Sequence, residues 1–103
     1  MNSPASPDPA HGPVIESDTE VVYSLDRVAS ICGLTSQTIV HYHEEGLIRP
    51  VAVDESGERF NEDTIYRLRR IEHLRSEYGM EEAALKLTLG LLDEIERLRA
   101  ERR

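Results

Sequence analysis

The sequence predicts a mostly α-helical winged helix-turn-helix with a short two-stranded wing and a long C-terminal helix. Three observations carry that reading. Residues 25–32 and 36–45 each show helical apolar spacing and meet at Gly33. A turn-rich tetrad, Asp54-Glu55-Ser56-Gly57, divides two β-prone runs between Val51 and Phe60. Beyond Asn61, apolar residues recur every three or four positions almost to the C-terminus.

Residues 1–20 hold four of the five prolines and little to bury, the composition of a disordered Pro/Ser-rich tail. The winged domain is expected over residues 21–79. Val21, Val22 and Tyr23 make a short strand or an extended entry. Ser24 suits the N-cap of a helix from Leu25, because its oxygen accepts an amide proton that lacks a helical partner. Leu25, Val28, Ala29, Ile31 and Cys32 supply the buried side, and Gly33 ends the helix in the left-handed conformation. Thr35 caps a second helix that Gly46 stops, with Ile39 and Tyr42 at helical spacing. Leu47 and Ile48 turn back before Pro50. Asn61 caps a third helix, with Glu62 and Asp63 where carboxylates favour the helix dipole. Ile65, Leu68, Ile71, Leu74 and Tyr78 step down one side of it, and Gly79 breaks the run.

Residues 80–103 form the last helix, with two apolar rows. Leu85, Leu89 and Leu92 make one; Leu87, Leu91, Ile95 and Leu98 make the other. A face that wide exceeds what one small domain needs, so this segment is expected to serve self-association or partner binding. Gly90 inside it costs about 1 kcal/mol against alanine, which argues against an unbroken helix.

Composition narrows the function. The chain has 103 residues and a net charge of −8, divided as −4 over residues 1–22, −3 over 23–60, 0 over 61–78 and −1 over 79–103. An acidic balance disfavours sequence-independent phosphate binding, which draws on cations and counterion release. It does not exclude DNA, because local patches matter more than totals. The single cysteine, Cys32, allows no internal disulfide framework and fits a reducing, cytoplasmic setting. No apolar stretch is long enough to span a membrane. Ser, His and Asp are scattered without catalytic spacing, and there is no glycine-rich phosphate loop, so no enzyme and no cofactor are expected.

Several motifs together resemble the MerR-type winged-helix family. They are Tyr23-Ser24-Leu25-Asp26-Arg27-Val28-Ala29, Gly33-Leu34-Thr35, Thr38-Ile39, Gly46-Leu47-Ile48-Arg49-Pro50, Arg59-Phe60, and Leu74-Arg75 with Tyr78-Gly79-Met80. Where that family places a DNA-contacting arginine after Ile39, this chain has Val40. Where it carries an aromatic-arginine pair in the wing, Glu58 precedes Arg59. The C-terminal part, Ala83-Ala84-Leu85-Lys86-Leu87 and then Leu91-Leu92-Asp93-Glu94-Ile95-Glu96-Arg97-Leu98-Arg99, is similar to the closing helix of CbpM-type chaperone modulators. That resemblance implies a small MerR-like protein without an effector domain. Its partner would be the J-domain of a DnaJ/CbpA-type co-chaperone, whose stimulation of a DnaK-type chaperone it inhibits.

Three sets of candidate residues follow. A J-domain presents a basic helix, the resemblance implies, and an acidic surface attracts it. His41, His43, Glu44 and Glu45 of the second helix, with Asp54, Glu55 and Glu58 of the wing, compose that surface if the wing lies beside the helix. Asp93, Glu94 and Glu96 are a competing acidic surface. The alternative, a dimeric DNA-binding regulator, rests on Ser36, Gln37, His41, Arg59 and Arg67. Self-association through the last helix rests on Leu85, Leu89, Leu91, Leu92, Ile95 and Leu98.

Other polar residues read as structural. His41 and His43 stand two apart, which on a helix points them about 200° from each other and forbids one shared metal ion. His73 is expected to meet solvent. Arg67, Arg69, Arg70 and Arg75 balance Glu62, Asp63, Glu72 and Glu77 on one helix and are expected to pair with them. No metal site is predicted.

Overall fold

The structure is a computed structural model and describes residues 21–102. The tail expected over residues 1–20 lies outside the described residues. The elements in chain order are β1 (Tyr23–Ser24), α1 (Leu25–Cys32), α2 (Ser36–Glu44), β2 (Ala52–Asp54), β3 (Gly57–Phe60), α3 (Glu62–Tyr78) and α4 (Glu82–Glu101).

Three helices begin at the caps expected of them. The Arg27 amide donates to Ser24 Oγ at 3.2 Å, Thr38 to Thr35 Oγ1 at 3.1 Å, and Thr64 to Asn61 Oδ1 at 3.3 Å. Each such cap is worth about 1 kcal/mol, because it satisfies a donor that the helix itself leaves over. α2 ends at Gly46, whose φ of 79° lets its amide reach the His43 carbonyl at 3.0 Å. The next amide, Leu47, then bonds to Tyr42 and carries Leu47 and Ile48 back into the core.

The sheet has three strands rather than the two expected of the wing. β1 pairs antiparallel with β3, Tyr23 opposite Phe60, so the order is β1-β3-β2. A central β3 has two hydrogen-bonding edges, and the extended entry to α1 satisfies the one that β2 leaves open. The short strand or extended entry expected at Val21, Val22 and Tyr23 forms as β1, two residues long and set at Tyr23–Ser24. The wing turn is held by the Ser56 amide on Asp54 Oδ1 at 2.8 Å.

Phe60, the chain's single phenylalanine, is fully buried at the end of β3. Around it lie Val28 and Ala29 from α1, Ile39 and Tyr42 from α2, and Ile65, Leu68 and Ile71 from α3. Leu85 and Leu89 of α4 close the same core, each 1% exposed. Tyr78 departs from the expected stripe: it is 68% exposed and meets His73 edge-on at 5.9 Å between ring centroids. The left-handed turn at Gly79 brings Met80 onto the core at that end instead.

α4 runs unbroken through Gly90 for 20 residues. Burial of Leu85 and Leu89, in the turn that precedes Gly90, outweighs the roughly 1 kcal/mol that glycine costs there. Leu92 is its last residue packed against the core. From Asp93 onward every described residue of α4 is exposed, so its second half projects from the domain.

Candidate functional site

The outer face of α2 is the surface that a helix-turn-helix offers to a partner. Ile39 and Tyr42 turn inward, while Gln37, Val40, His41 and Glu44 are exposed at i, i+3, i+4 and i+7 spacing, which is one face. That face contains no lysine or arginine. Tyr42 fixes the helix from behind: its hydroxyl donates to Glu72 of α3 at 2.6 Å. Burial, and then the Glu72 carboxylate, push the phenol's pKa up to about 12, so it stays a donor throughout the neutral range.

The two histidines diverge as their spacing requires, and each bridges a different neighbour. His41 Nε2 meets Glu82 in the first turn of α4, and His43 Nδ1 lies 3.0 Å from Glu58 of the wing. The wing therefore lies against the C-terminal end of α2. Glu45 turns to the α4 side, where Lys86 Nζ stands 3.0 Å away. That ammonium, through its hydrogen bond and its charge, holds the Glu45 carboxyl below its ordinary pKa. Asp54 is likewise held down, first by the Ser56 amide and then by Arg59 Nε at 2.9 Å. Glu44 and Glu55 are exposed and make no ion pair among the described residues.

The seven acidic-surface candidates thus divide around α2 instead of forming one sheet of charge. His43, Glu58, Asp54 and Glu55 belong to the wing side, His41 and Glu45 to the α4 side, and Glu44 to the exposed face between. Across the whole set, five carboxylates face two paired cations, Arg59 and Lys86. Asp93 is separate: it accepts both guanidinium nitrogens of Arg67, at 2.7 and 3.0 Å.

The candidates for DNA are largely engaged inside the chain. Ser36 Oγ donates to Asp26 at 2.8 Å, and Arg59 is held by Asp54. Arg67, besides clasping Asp93, donates Nε to the Leu47 carbonyl. It stitches α3 to α4 and to the loop after α2, so the expected pairing within α3 is replaced by a longer-range one. Arg75 does pair within α3, with Glu72 at 3.1 Å. Arg69 and Arg70 are exposed and make no ion pair among the described residues. Gln37 remains on the open face, and His41, though exposed, is engaged by Glu82.

The self-association set also needs correction. Leu85 and Leu89 are sealed in the chain's own core and Leu92 is half-buried, so they are not open to a second helix. The open row is Leu87, Leu91, Ile95 and Leu98, exposed by 66, 57, 44 and 45%. Sequence reasoning missed Glu82, Lys86 and Asp93 as anchors of α2, Glu45 and Arg67. Their partners lie on other elements, and no local spacing signals them.

Comparison with known proteins places this geometry. The profile of the MerR HTH family of regulatory proteins matches residues 23–90, which spans both the helix-turn-helix and the start of α4. The chain belongs to that family. A Streptomyces coelicolor relative named as heat shock protein HspR is 29% identical over 79 residues. The match covers 77% of this chain and 52% of the relative, so the chain spans about half that protein's length. Among solved structures, HiNmlR is described as a MerR family regulator lacking the sensor domain, bound to promoter DNA. It matches with a TM-score of 0.64 and 25% identity, over 80% of this chain and 66% of that one. A MerR family transcriptional regulator from Bacillus cereus shares the fold, with a TM-score of 0.57, 16% identity and coverage of 80% and 72%. Among the described residues no helix is long and apolar enough to cross a membrane.

Proposed function

We propose that this MerR-family chain is a non-catalytic chaperone modulator. On this reading it binds the J-domain of a DnaJ/CbpA-type co-chaperone and inhibits its stimulation of a DnaK-type chaperone. One observation carries the reading: the exposed face of α2 is Gln37, Val40, His41 and Glu44, with no permanent cation. A helix reading the major groove needs cations for phosphates and Arg, Asn or Gln for base edges. Only Gln37 meets that need here. The carboxylates that flank it, Glu44 on the helix with Glu55 and Glu58 on the wing, suit a basic protein helix, which long-range charge would steer toward them.

The second reading is a MerR-type regulator that binds promoter DNA as a dimer. It is supported by the likeness to HiNmlR, crystallised on promoter DNA, and by the exposed Gln37. The open row Leu87, Leu91, Ile95 and Leu98 supports antiparallel self-association through α4 under either reading.

One paired titration separates them. Fluorescence anisotropy of a labelled J-domain, and separately of a labelled duplex, is followed against the chain at low and moderate salt. The chaperone-modulator reading expects saturable J-domain binding and no duplex binding at moderate salt. Tight, salt-sensitive duplex binding without a J-domain signal would establish the regulator instead.

A further inference from the structure

The seam between α2 and α4 gathers three metal-ligating side chains that the sequence separates by as much as 41 positions. We propose that His41, Glu45 and Glu82 bind one divalent transition-metal ion of the Zn2+ class, clamping α2 to α4. One donor atom from each of the three lies within 4.8 Å of the other two. His41 and Glu45 stand four positions apart, one helical turn, and so face the same way. Glu82 meets them from the first turn of α4.

The donor set selects the ion. A tetrahedral ion with bonds of about 2.0–2.1 Å needs donors roughly 3.3 Å apart, a spacing that small side-chain rotations reach from the present contacts. The three side chains have room to make it, being 51, 32 and 40% exposed. One imidazole nitrogen with two carboxylate oxygens suits Zn2+. The imidazole counts against Mg2+ and Ca2+, and the lack of a thiolate counts against Cu(I). Three protein ligands leave a fourth position for water, so the ion would exchange with solvent.

A cation already occupies the edge of this site. Lys86 Nζ sits 3.0 Å from Glu45, on a half-exposed side chain that can swing outward. Lysine and metal compete for the same carboxylate, and removing the lysine should strengthen metal binding. Occupancy would neutralise Glu45 and Glu82 and stiffen the junction behind the exposed face of α2. The site does not depend on whether that face meets a protein or DNA.

The test uses the full chain, Zn2+ followed by isothermal titration calorimetry and Co2+ by visible absorption. One ion per chain is expected, with His41→Ala and Glu82→Gln each weakening Zn2+ by roughly tenfold or more. Lys86→Gln should tighten it several-fold, and His73→Ala should leave it unchanged. The Co2+ complex should show ligand-field bands without a thiolate charge-transfer band, since Cys32 is not a ligand. Lack of saturable Zn2+ binding by the wild-type chain at about 100 µM would overturn the proposal. Equal Zn2+ affinity in His41→Ala, or a thiolate band with Co2+, would overturn it too.

Discussion

α2 and α3 pack against one core, yet they carry opposite resources to the surface. α2 exposes Gln37, Val40, His41 and Glu44, while α3 bears Arg67, Arg69, Arg70 and Arg75. The arginines of α3 serve the scaffold first: Arg67 fastens Asp93 of α4 and the Leu47 carbonyl, and Arg75 pairs with Glu72 behind Tyr42. Only Arg69 and Arg70 remain open. Arg67 and Lys86 therefore tie α4 to its neighbours, while α2 itself carries no lysine or arginine. A helix-turn-helix keeps its shape through caps and core residues, and those are independent of the residues on its outer face. Fold and binding preference can separate for that reason.

The contrast can be sharpened first at the core. Leu68→Ala on the inward face of α3 should cost about 2–5 kcal/mol of unfolding free energy, because it leaves a cavity at a fully buried position. Val40→Ala on the outward face of α2 should change stability by less than about 0.5 kcal/mol. Urea denaturation of the two variants gives both numbers. Comparable losses would mean that α2's outer face is structural.

Charge reversal probes the binding side of the comparison. Glu44→Lys with Glu58→Lys should weaken capture of a J-domain by more than tenfold, about 1.4 kcal/mol, in anisotropy titrations. Unchanged affinity would move the interface to the projecting half of α4, where Glu94 and Glu96 lie. A smaller effect is expected within α3. Arg67→Ala should cost about 1 kcal/mol, discounted because Asp93 is half exposed, while Arg69→Ala should cost almost nothing. Thermal melts of the pair would show whether the arginines divide into scaffold and surface as their contacts indicate.

The smallest effect concerns protons. Glu45 has a folded pKa below its ordinary value. Its contribution is thus present above the unfolded carboxylate pKa and is lost as pH falls through the folded one. Lys86→Ala should let the Glu45 carboxyl titrate upward toward its ordinary value, read by carbon-detected NMR. A titration that does not move would show that Lys86 does not set it.

The fold was legible because its signals are local. Ser24, Thr35 and Asn61 cap helices as side-chain chemistry dictates, and Gly33, Gly46 and Gly79 end them with positive φ. β1 was legible only as a short strand or an extended entry, since two residues carry no period that would decide between them or reveal the pairing with β3. Tyr78 misled because helical spacing continues past the end of the core. The two apolar rows of α4 are chemically alike, and only packing against α3 and the core decides that Leu85 and Leu89 are buried while Leu87 and Leu91 are not. The site was legible in composition, as a cation-free α2, but not in contacts. His41–Glu82, Glu45–Lys86 and Arg67–Asp93 each join residues more than twenty positions apart, and pairing at that range is written in tertiary structure alone.

One NMR measurement tests the central claim most directly. The isotopically labelled chain is titrated at moderate salt with an unlabelled J-domain, and in parallel with a promoter-length duplex. The cation-free face predicts amide shifts at Gln37, Val40, Glu44 and Glu58 with the J-domain and none there with the duplex. Shifts on α2 caused by the duplex, with the J-domain leaving that helix unmoved, would contradict it.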